Sequence, residues 1–326
     1  MTHTPDSHTE LSSNAARIAV LLPCYNEAIT IGKVVADFRR TLPAADIYVF
    51  DNNSTDDTAG KAAAAGATVL RSRRQGKGHV VQHMFHVVEA DIYVLADGDD
   101  TYPAEAAAEM IRILQEADAD MVIGTRMENS EPGAFRIMHE FGNRLISKLV
   151  SVLFRSPVTD VLSGYRVFRE HFARTLYLRS GGFEIETEIT LQAIAKSCVI
   201  KEIPVTYAVR PPGSISKLNT LTDGLHVLKC VILIFKDYKP LVFFSCMSIL
   251  SFIFGLAAGW YPVTDYLETR FVSHVPLALL AAALEILAVL FLGIGLILSA
   301  IHRYHMENQE LIGNLCEFVF RLKKRD

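Results

Sequence analysis

The chain has 326 residues, of which 50% are hydrophobic and 21% charged, and a formal net charge of −4 at pH 7. That length allows a sizeable core and a second module, while the charge argues against a nucleic-acid binder, which carries a basic surplus. The five cysteines form no C-x-x-C pair, so they indicate neither a zinc cage nor a disulfide framework and fit a reduced cytosolic setting.

Residues 1–16 are polar, lack the apolar run of a signal peptide and read as a disordered tail. "RIAVLLPCYNE" (17–27) opens as a buried strand that stops at Pro23, after which Ile29, Ile31, Val34, Val35 and Phe38 recur at helical spacing. "DIYVFDNNSTDDT" (46–58) is a second strand ending in a polar loop, with Asp56 or Asp57 placed to cap the Ala-rich helix that follows. "ATVLRS" and "DIYVLADGDD" add two strands, separated by the glycine turn and helix of "QGKGHVVQHMFHVVEA". "PAEAAAEMIRILQEA" is a helix with Pro103 at its start, and "DMVIGTR" is another strand.

Strands alternating with helices predict an α/β fold with a doubly wound, mostly parallel sheet covered on both faces. Ligands of such sheets sit outside the carboxyl ends of the strands. Polar clusters follow the strands there: Asn26-Glu27, Asp51-Asn52-Asn53, Asp97-Gly98-Asp99 and Arg126. They converge on one edge.

"RLISKLVSVLFR" (144–155) suits either a helix lying at a membrane surface or one packed on the sheet. "VTDVLSGYRVF" and "GGFEIETEITLQAIAK" return to the globular domain, taken as residues 17–215, and "KEIPVTYAVRPPGSISKL" is a strand running into a basic Pro/Gly loop. Residues 216–239 read as juxtamembrane amphipathic helices. Residues 241–260 carry no formal charge and 276–301 only Glu285, so each is long enough to span a hydrocarbon core, giving a transmembrane hairpin over 240–302. Lys229, Lys236 and Lys239 precede the hairpin and Arg303 with "RLKKR" follows it, in a basic tail of residues 303–326. The positive-inside rule then places both termini and the globular domain in the cytoplasm. Glu285 costs a few kcal/mol in lipid if ionised, so it is expected to pair, face a protomer interface or be protonated; with the hairpin it points to a homo-oligomer.

Asp97 and Asp99 form a D-x-D at a strand end, hard oxygen ligands of the kind that hold Mg²⁺ or Mn²⁺ together with substrate phosphates. A Walker loop is excluded because Arg71 stands where its first glycine is needed, and G-x-G-x-x-G fails at Val81. His79, His83 and His86 share a helical face, but histidines so placed are more often solvated or packed than metal-bound.

"VLLPCYNE", "VFDNNSTDDT", "GKG", "LADGDDTYP", "IGTR", "DVLSGYRVF" and "RPPGSISKLNT", in this order, resemble family 2 glycosyltransferases of GT-A fold, and among them the polyprenyl-phosphate glycosyltransferases. The resemblance covers roughly residues 17–240. It implies a nucleotide-sugar donor, a polyprenyl phosphate acceptor at a membrane bilayer, an inverting transfer and Mg²⁺ or Mn²⁺ as cofactor. UDP-glucose is the favoured donor and undecaprenyl phosphate the acceptor, with the enzyme in the inner (plasma) membrane. By position, Pro23, Tyr25, Asn26, Glu27, Asp51, Asn52, Lys77 and Asp97 would bind the nucleotide sugar, and Asp97 with Asp99 the metal. Arg126, Arg144 and Arg166 would meet the acceptor phosphate or diphosphate, and Arg210 and Lys217 would come from a loop that closes over phosphates. Asp160 and Glu186 are the two candidates for a base.

A strong base is not obligatory, because a phosphate monoester with a second pKa of about 6 is already an anionic nucleophile. The site must align that oxygen with the anomeric carbon and stabilise the departing nucleoside diphosphate. Glu184, Glu186 and Glu188 would point one way on a strand and spread over a helix, and the local pattern does not choose. Two further readings are a processive polysaccharide synthase, which the missing Q-x-x-R-W motif disfavours, and a non-catalytic nucleotide-sugar-binding scaffold, which has no need of Asp97, Asp99, Asp160 and Arg126 together.

Overall fold

The computed structural model describes residues 16–126, 137–182, 184–213 and 220–323. Strands β1 (Ile18–Cys24), β2 (Asp46–Asp51), β3 (Thr68–Arg71), β4 (Ile92–Leu95) and β5 (Met121–Thr125) alternate with helices α1 (Ile31–Thr41), α2 (Thr58–Ala64), α3 (Lys77–Val87) and α4 (Ala106–Glu116). Then follow α5 (Ile137–Phe154), β6 (Arg166–Arg169), α6 (Glu170–Thr175), α7 (Ile185–Ala195), β7 (Ile200–Pro204), α8 (Thr220–Tyr238), α9 (Pro240–Thr269) and α10 (Val275–Lys323). The seven strands form one sheet in the order β3-β2-β1-β4-β6-β5-β7. All pairs are parallel except those of β6, which runs antiparallel between β4 and β5.

Burial follows from this order. β1 and β4 lie inside the sheet and their apolar runs are almost wholly buried, as strands covered on both faces require. α1 places Ile31, Val34, Val35 and Phe38 inward, the helical spacing seen in the sequence. α5 buries Ile146, Val150 and Phe154 while Leu145 and Val152 stay exposed, so it packs on the domain by one face and leaves a second apolar face open.

β6 was not foreseen as a strand. It has four residues with an arginine at each end, and Arg166 is buried there because its guanidinium folds back on the carbonyls of Ser163 (2.8 Å) and Val161 (2.8 Å). The segment left open between strand and helix, Ile185–Ala195, is a helix with polar residues buried along it. Those residues have partners: Glu188 accepts the amides of Arg179 (3.0 Å) and Ser180 (2.8 Å), and Gln192 donates to the carbonyl of Tyr177 (2.7 Å).

The chain divides into two units, residues 1–231 and 232–326. In the second, Pro240–Thr269 and Val275–Tyr304 are long and apolar enough to cross a membrane, with mean hydropathy 2.3 and 2.6. The two helices run antiparallel: Ser248 donates to the carbonyl of Ala288 (2.7 Å), Ser251 to that of Leu284 (2.8 Å), and Gly255 lies against the carboxyl group of Glu285. The turn comes later than the sequence suggested. α9 continues through Pro262 to Thr269 and reverses where Arg270 takes a left-handed conformation (φ 58°). α10 runs unbroken to Lys323, past the expected end of the hairpin.

Candidate active site

The polar clusters meet at the carboxyl ends of β1, β2, β4 and β5, each held by backbone geometry that its residues permit. Asn26, Asn53 and Asp100 adopt positive φ (55°, 60° and 61°), a region that Asn and Asp tolerate best among residues with a Cβ. Asn26 accepts the amide of Thr55 through Oδ1 (2.7 Å) and donates its own amide to Ser54 (2.9 Å), tying the β1 and β2 loops together. Gly98 must be glycine, since a Cβ there would meet Cys24 Sγ at 2.4 Å.

The three carboxylates of "DGDD" part company. Asp100 turns aside to Lys33 at 2.6 Å, whereas Asp97 and Asp99 stay at the strand end. Asp97 pairs with Lys77 (2.5 Å), which also pairs with the buried Glu186 (2.5 Å). Burial opposes the charge on Lys77, but the two carboxylates outweigh it and hold the ammonium well above its ordinary pKa. Asp99 accepts the amide (3.2 Å) and hydroxyl (2.5 Å) of Thr101 and pairs with Arg210, whose Nη1 lies 3.7 Å from Glu27. Burial, and next the Asp97 charge, raise the Asp99 carboxyl above its usual range despite Arg210.

The "GKG" glycines serve close packing. A Cβ on Gly76 or Gly78 would meet the carbonyl of Gly181 or Ser180 at 2.1 Å, and the Gly78 amide donates to Gly181 (3.1 Å). Gly164 of "LSGYR" presses on the pair itself, where a Cβ would lie 2.7 Å from Asp97 Oδ2 and 3.1 Å from Lys77 Nζ.

Arg126, after β5, is gripped by Asp160. The carboxylate accepts the Arg126 backbone amide, Nε and Nη2, each at 3.0 Å, and the side-chain amide of Asn143 at 2.8 Å. Burial would raise the Asp160 pKa, but the Arg126 guanidinium outweighs it and holds the carboxyl below its usual range. Arg126 lies over the ring of Tyr207 (5.6 Å), a ring that also feels the charge of Asp99.

Several expected residues are buried and hold the frame of the site. Arg166 is fully buried on carbonyls, where burial lowers its pKa to about 10. Asp160, also 0% exposed, is bound to Arg126. Glu186 is tied to Lys77 in the same way. The Asn52 side chain holds the β3–α3 loop, donating to the carbonyls of Ser72 (3.1 Å) and Arg74 (2.7 Å) and accepting the Gly76 amide (2.8 Å). Glu27 and Asp51 are buried at the edge, Pro23 is half-buried and Tyr25 is 37% exposed. Arg144 is exposed on α5, next to Asn143. Lys217 lies outside the described residues, as does the expected disordered tail.

Asn143, Tyr102 and Tyr207 were missed. Asn143 sits with Ile146, Ser147 and Val150 on the buried face of α5, and a polar residue at that phase of the apolar stripe was the available signal. Tyr102 accepts the Gly164 amide (3.1 Å), a contact between distant segments that no local pattern reveals.

Asp97 and Asp99 offer the hard oxygens that suit Mg²⁺ or Mn²⁺. No group of three or more His, Cys, Asp or Glu residues placed to hold a metal ion occurs among the described residues.

The Glycosyl transferase family 2 pattern matches residues 19–176. Glycosyltransferase AglJ of Haloferax volcanii is 32% identical over 299 residues, 91% of this chain and 98% of that protein. This chain belongs to glycosyl transferase family 2. Another relative in this family, the dolichyl-phosphate hexose transferase of Haloferax volcanii, is 26% identical, covering 66% of this glycosyltransferase and 92% of its own length. Among solved structures, glucosyl-3-phosphoglycerate synthase from Mycobacterium tuberculosis, in complex with Mn²⁺, UDP-glucose and phosphoglyceric acid, superposes with a TM-score of 0.57 at 20% identity. It covers 68% of this chain and 80% of that one. The GT-A fold expected from the sequence is the fold observed.

Proposed function

We propose that this glycosyltransferase moves one sugar from a UDP-sugar, with UDP-glucose favoured, to a polyprenyl phosphate such as undecaprenyl phosphate, with inversion at the anomeric carbon. The observation that carries the reading is the charge arrangement at one sheet edge. Asp97 and Asp99 stand among Lys77, Arg210 and Arg126, a set that suits two phosphate-bearing substrates. The named lipid-phosphate relative and two helices long enough to span a bilayer support the acceptor class.

In this reading Tyr25, Glu27 and Asp51 receive the nucleoside, and Asp97 and Asp99 hold Mg²⁺ or Mn²⁺, which neutralises the leaving diphosphate when bound. Arg210 leaves Asp99 for the phosphates, and Lys77 stays in place because it is buried between two carboxylates. Arg126, aimed by Asp160 and Asn143, receives the acceptor phosphate with Arg144. Asp160 and Glu186 thereby act as positioning residues, and the acceptor phosphate attacks as the anion it already is. Lys229, Lys236, Lys239 and Arg303 flank the two spans, which favours cytoplasmic termini at the inner membrane.

The test is incubation of the detergent-purified protein with undecaprenyl phosphate, Mg²⁺ or Mn²⁺, and a panel of UDP- and GDP-sugars, with mass spectrometry of the lipid. One glycosyl-phosphoryl-lipid, absent with Asp99→Asn, is expected. Nucleotide-sugar binding with no lipid product from any donor would refute the acceptor.

A further inference from the structure

The strongest feature outside the acidic edge is a cavity of about 550 Å³ between the β3–α3 loop and the outward face of α3. Arg71, Arg73 and Arg74 line it from the loop side and His79, His83 and His86 from the helix, with Ser72 and Gln82 between. No carboxylate and no large apolar side chain belongs to its wall.

This face is distinct from the one serving the transfer site. α3 buries Val80, Val81, Met84 and Phe85, and its first residue, Lys77, turns to Asp97; the three histidines lie on another side of the helix. One of them is held. His83 packs edge-on against Phe50 (5.4 Å between ring centres), and Nδ1 of His79 is buried with no hydrogen-bond partner. Such an atom is costly while unsatisfied. The loop is fixed as well, by Asn52 on the carbonyls of Ser72 and Arg74 and by Asn53 on that of Arg73 (3.0 Å). The arginine heads therefore project from an anchored backbone, and Arg71 is steadied by Asn53 Oδ1 (3.4 Å).

Three arginines and three histidines line one cavity with no carboxylate among them, and the planar guanidinium fork matches phosphate oxygens. The volume falls within the range of small-ligand pockets, roughly 300–1,000 Å³, well beyond what one inorganic phosphate fills.

We propose that the cavity formed by Arg71, Arg73, Arg74, His79, His83 and His86 is a second phosphate-binding site, separate from the transfer site. It takes a phosphate group carried on a larger body. A soluble nucleotide and an anionic lipid head group both present that chemistry.

The test uses the full chain in detergent, with EDTA present so that no metal draws diphosphate to Asp97 and Asp99. Calorimetric titration with inorganic pyrophosphate is compared across wild type, Arg73→Gln/Arg74→Gln and Arg210→Ala. The first two altered side chains are exposed, so an unchanged melting temperature confirms that the double variant folds. The expected result is saturable binding that weakens at least about tenfold in the double variant, as removal of two charge-assisted partners implies, and is unaffected by Arg210→Ala. Displacement of pyrophosphate by UMP but not by a short-chain phosphatidic acid assigns the site to soluble nucleotides; the reverse assigns it to lipid. Absent binding, equal binding in the double variant, or loss confined to Arg210→Ala would overturn the proposal.

Discussion

Asp160→Asn separates a positioning carboxylate from a catalytic base. The substitution keeps the shape of the side chain but replaces one acceptor oxygen with an NH₂ group. Each carboxylate oxygen now accepts two donors: the Arg126 amide and Nε on one, Arg126 Nη2 and Asn143 on the other. Either orientation of the new amide therefore sets an N–H group against two N–H donors. The Arg126 and Asp160 side chains are 10% and 0% exposed, so solvent screens the pair little. Removing one partner of a buried pair costs about 3–5 kcal/mol, and thermal unfolding in detergent should show a fall of roughly 10 °C on the scale expected for domains of this size. Arg126→Met combined with Asp160→Asn should recover part of that loss, because the stranded charge goes too. With the guanidinium no longer aimed, the KM for lipid phosphate should rise on the order of tenfold or more and the KM for nucleotide sugar should hold. The pH profile of the residual activity should keep its wild-type shape. An undiminished melting temperature together with a lost acidic limb in that profile would refute the positioning role and restore Asp160 as the base.

The same pair sets a pH dependence. Asp160 is held below its unfolded pKa of about 3.9, so its contribution is present above that value and is lost as pH falls through the lower folded pKa. Melting curves of wild type and Asp160→Asn should accordingly differ most near neutrality and converge under strong acid; a constant gap would show that the carboxylate charge is not the cause. Lys77→Met leaves Asp97 and Glu186 facing one another without their shared cation, and should abolish UDP-sugar binding measured by calorimetry while lowering stability by about 3–5 kcal/mol. Gly164→Ala pushes a methyl group against Asp97 and Lys77; donor affinity should drop at least about tenfold with a loss of stability of about 1–3 kcal/mol or less, and unchanged donor affinity would mean the pair gives way freely. Gly78→Ala meets the fixed carbonyl of Ser180 and should reverse that ranking, with stability falling by more than for Gly164→Ala.

Much of the sheet was legible because its inner strands are fully buried and its helices show one apolar face. The strand-end rule brings Glu27, Asp51, Asp97, Asp99 and Arg126 to one edge from their positions in the sequence. What stayed hidden depends on partners distant in sequence. A buried arginine and an exposed one look alike in a string of letters, and Arg166 is inside only because the Val161 and Ser163 carbonyls lie within its reach. Glu186 and Glu188 are polar residues in a helix with no exposed face, so neither period of two nor of 3.6 emerges from Ile185–Ala195; the compensation comes from Lys77, Arg179 and Ser180.

The two aspartates of the D-x-D also proved unequal, in a way that spacing alone does not convey. Asp97 faces a lysine that is itself buried and fastened to Glu186, whereas Asp99 faces an arginine from the segment after β7, with about a quarter of its side chain exposed. Exchanging a partner costs least where the departing cation gains solvent and leaves no second carboxylate behind at short range. Arg210 meets the first condition and comes close to the second, with Glu27 at 3.7 Å, while Lys77 meets neither. In the proposed reaction the carboxylate free to change partner is therefore Asp99, and Asp97 with Lys77 and Glu186 would form the fixed wall against which that exchange takes place.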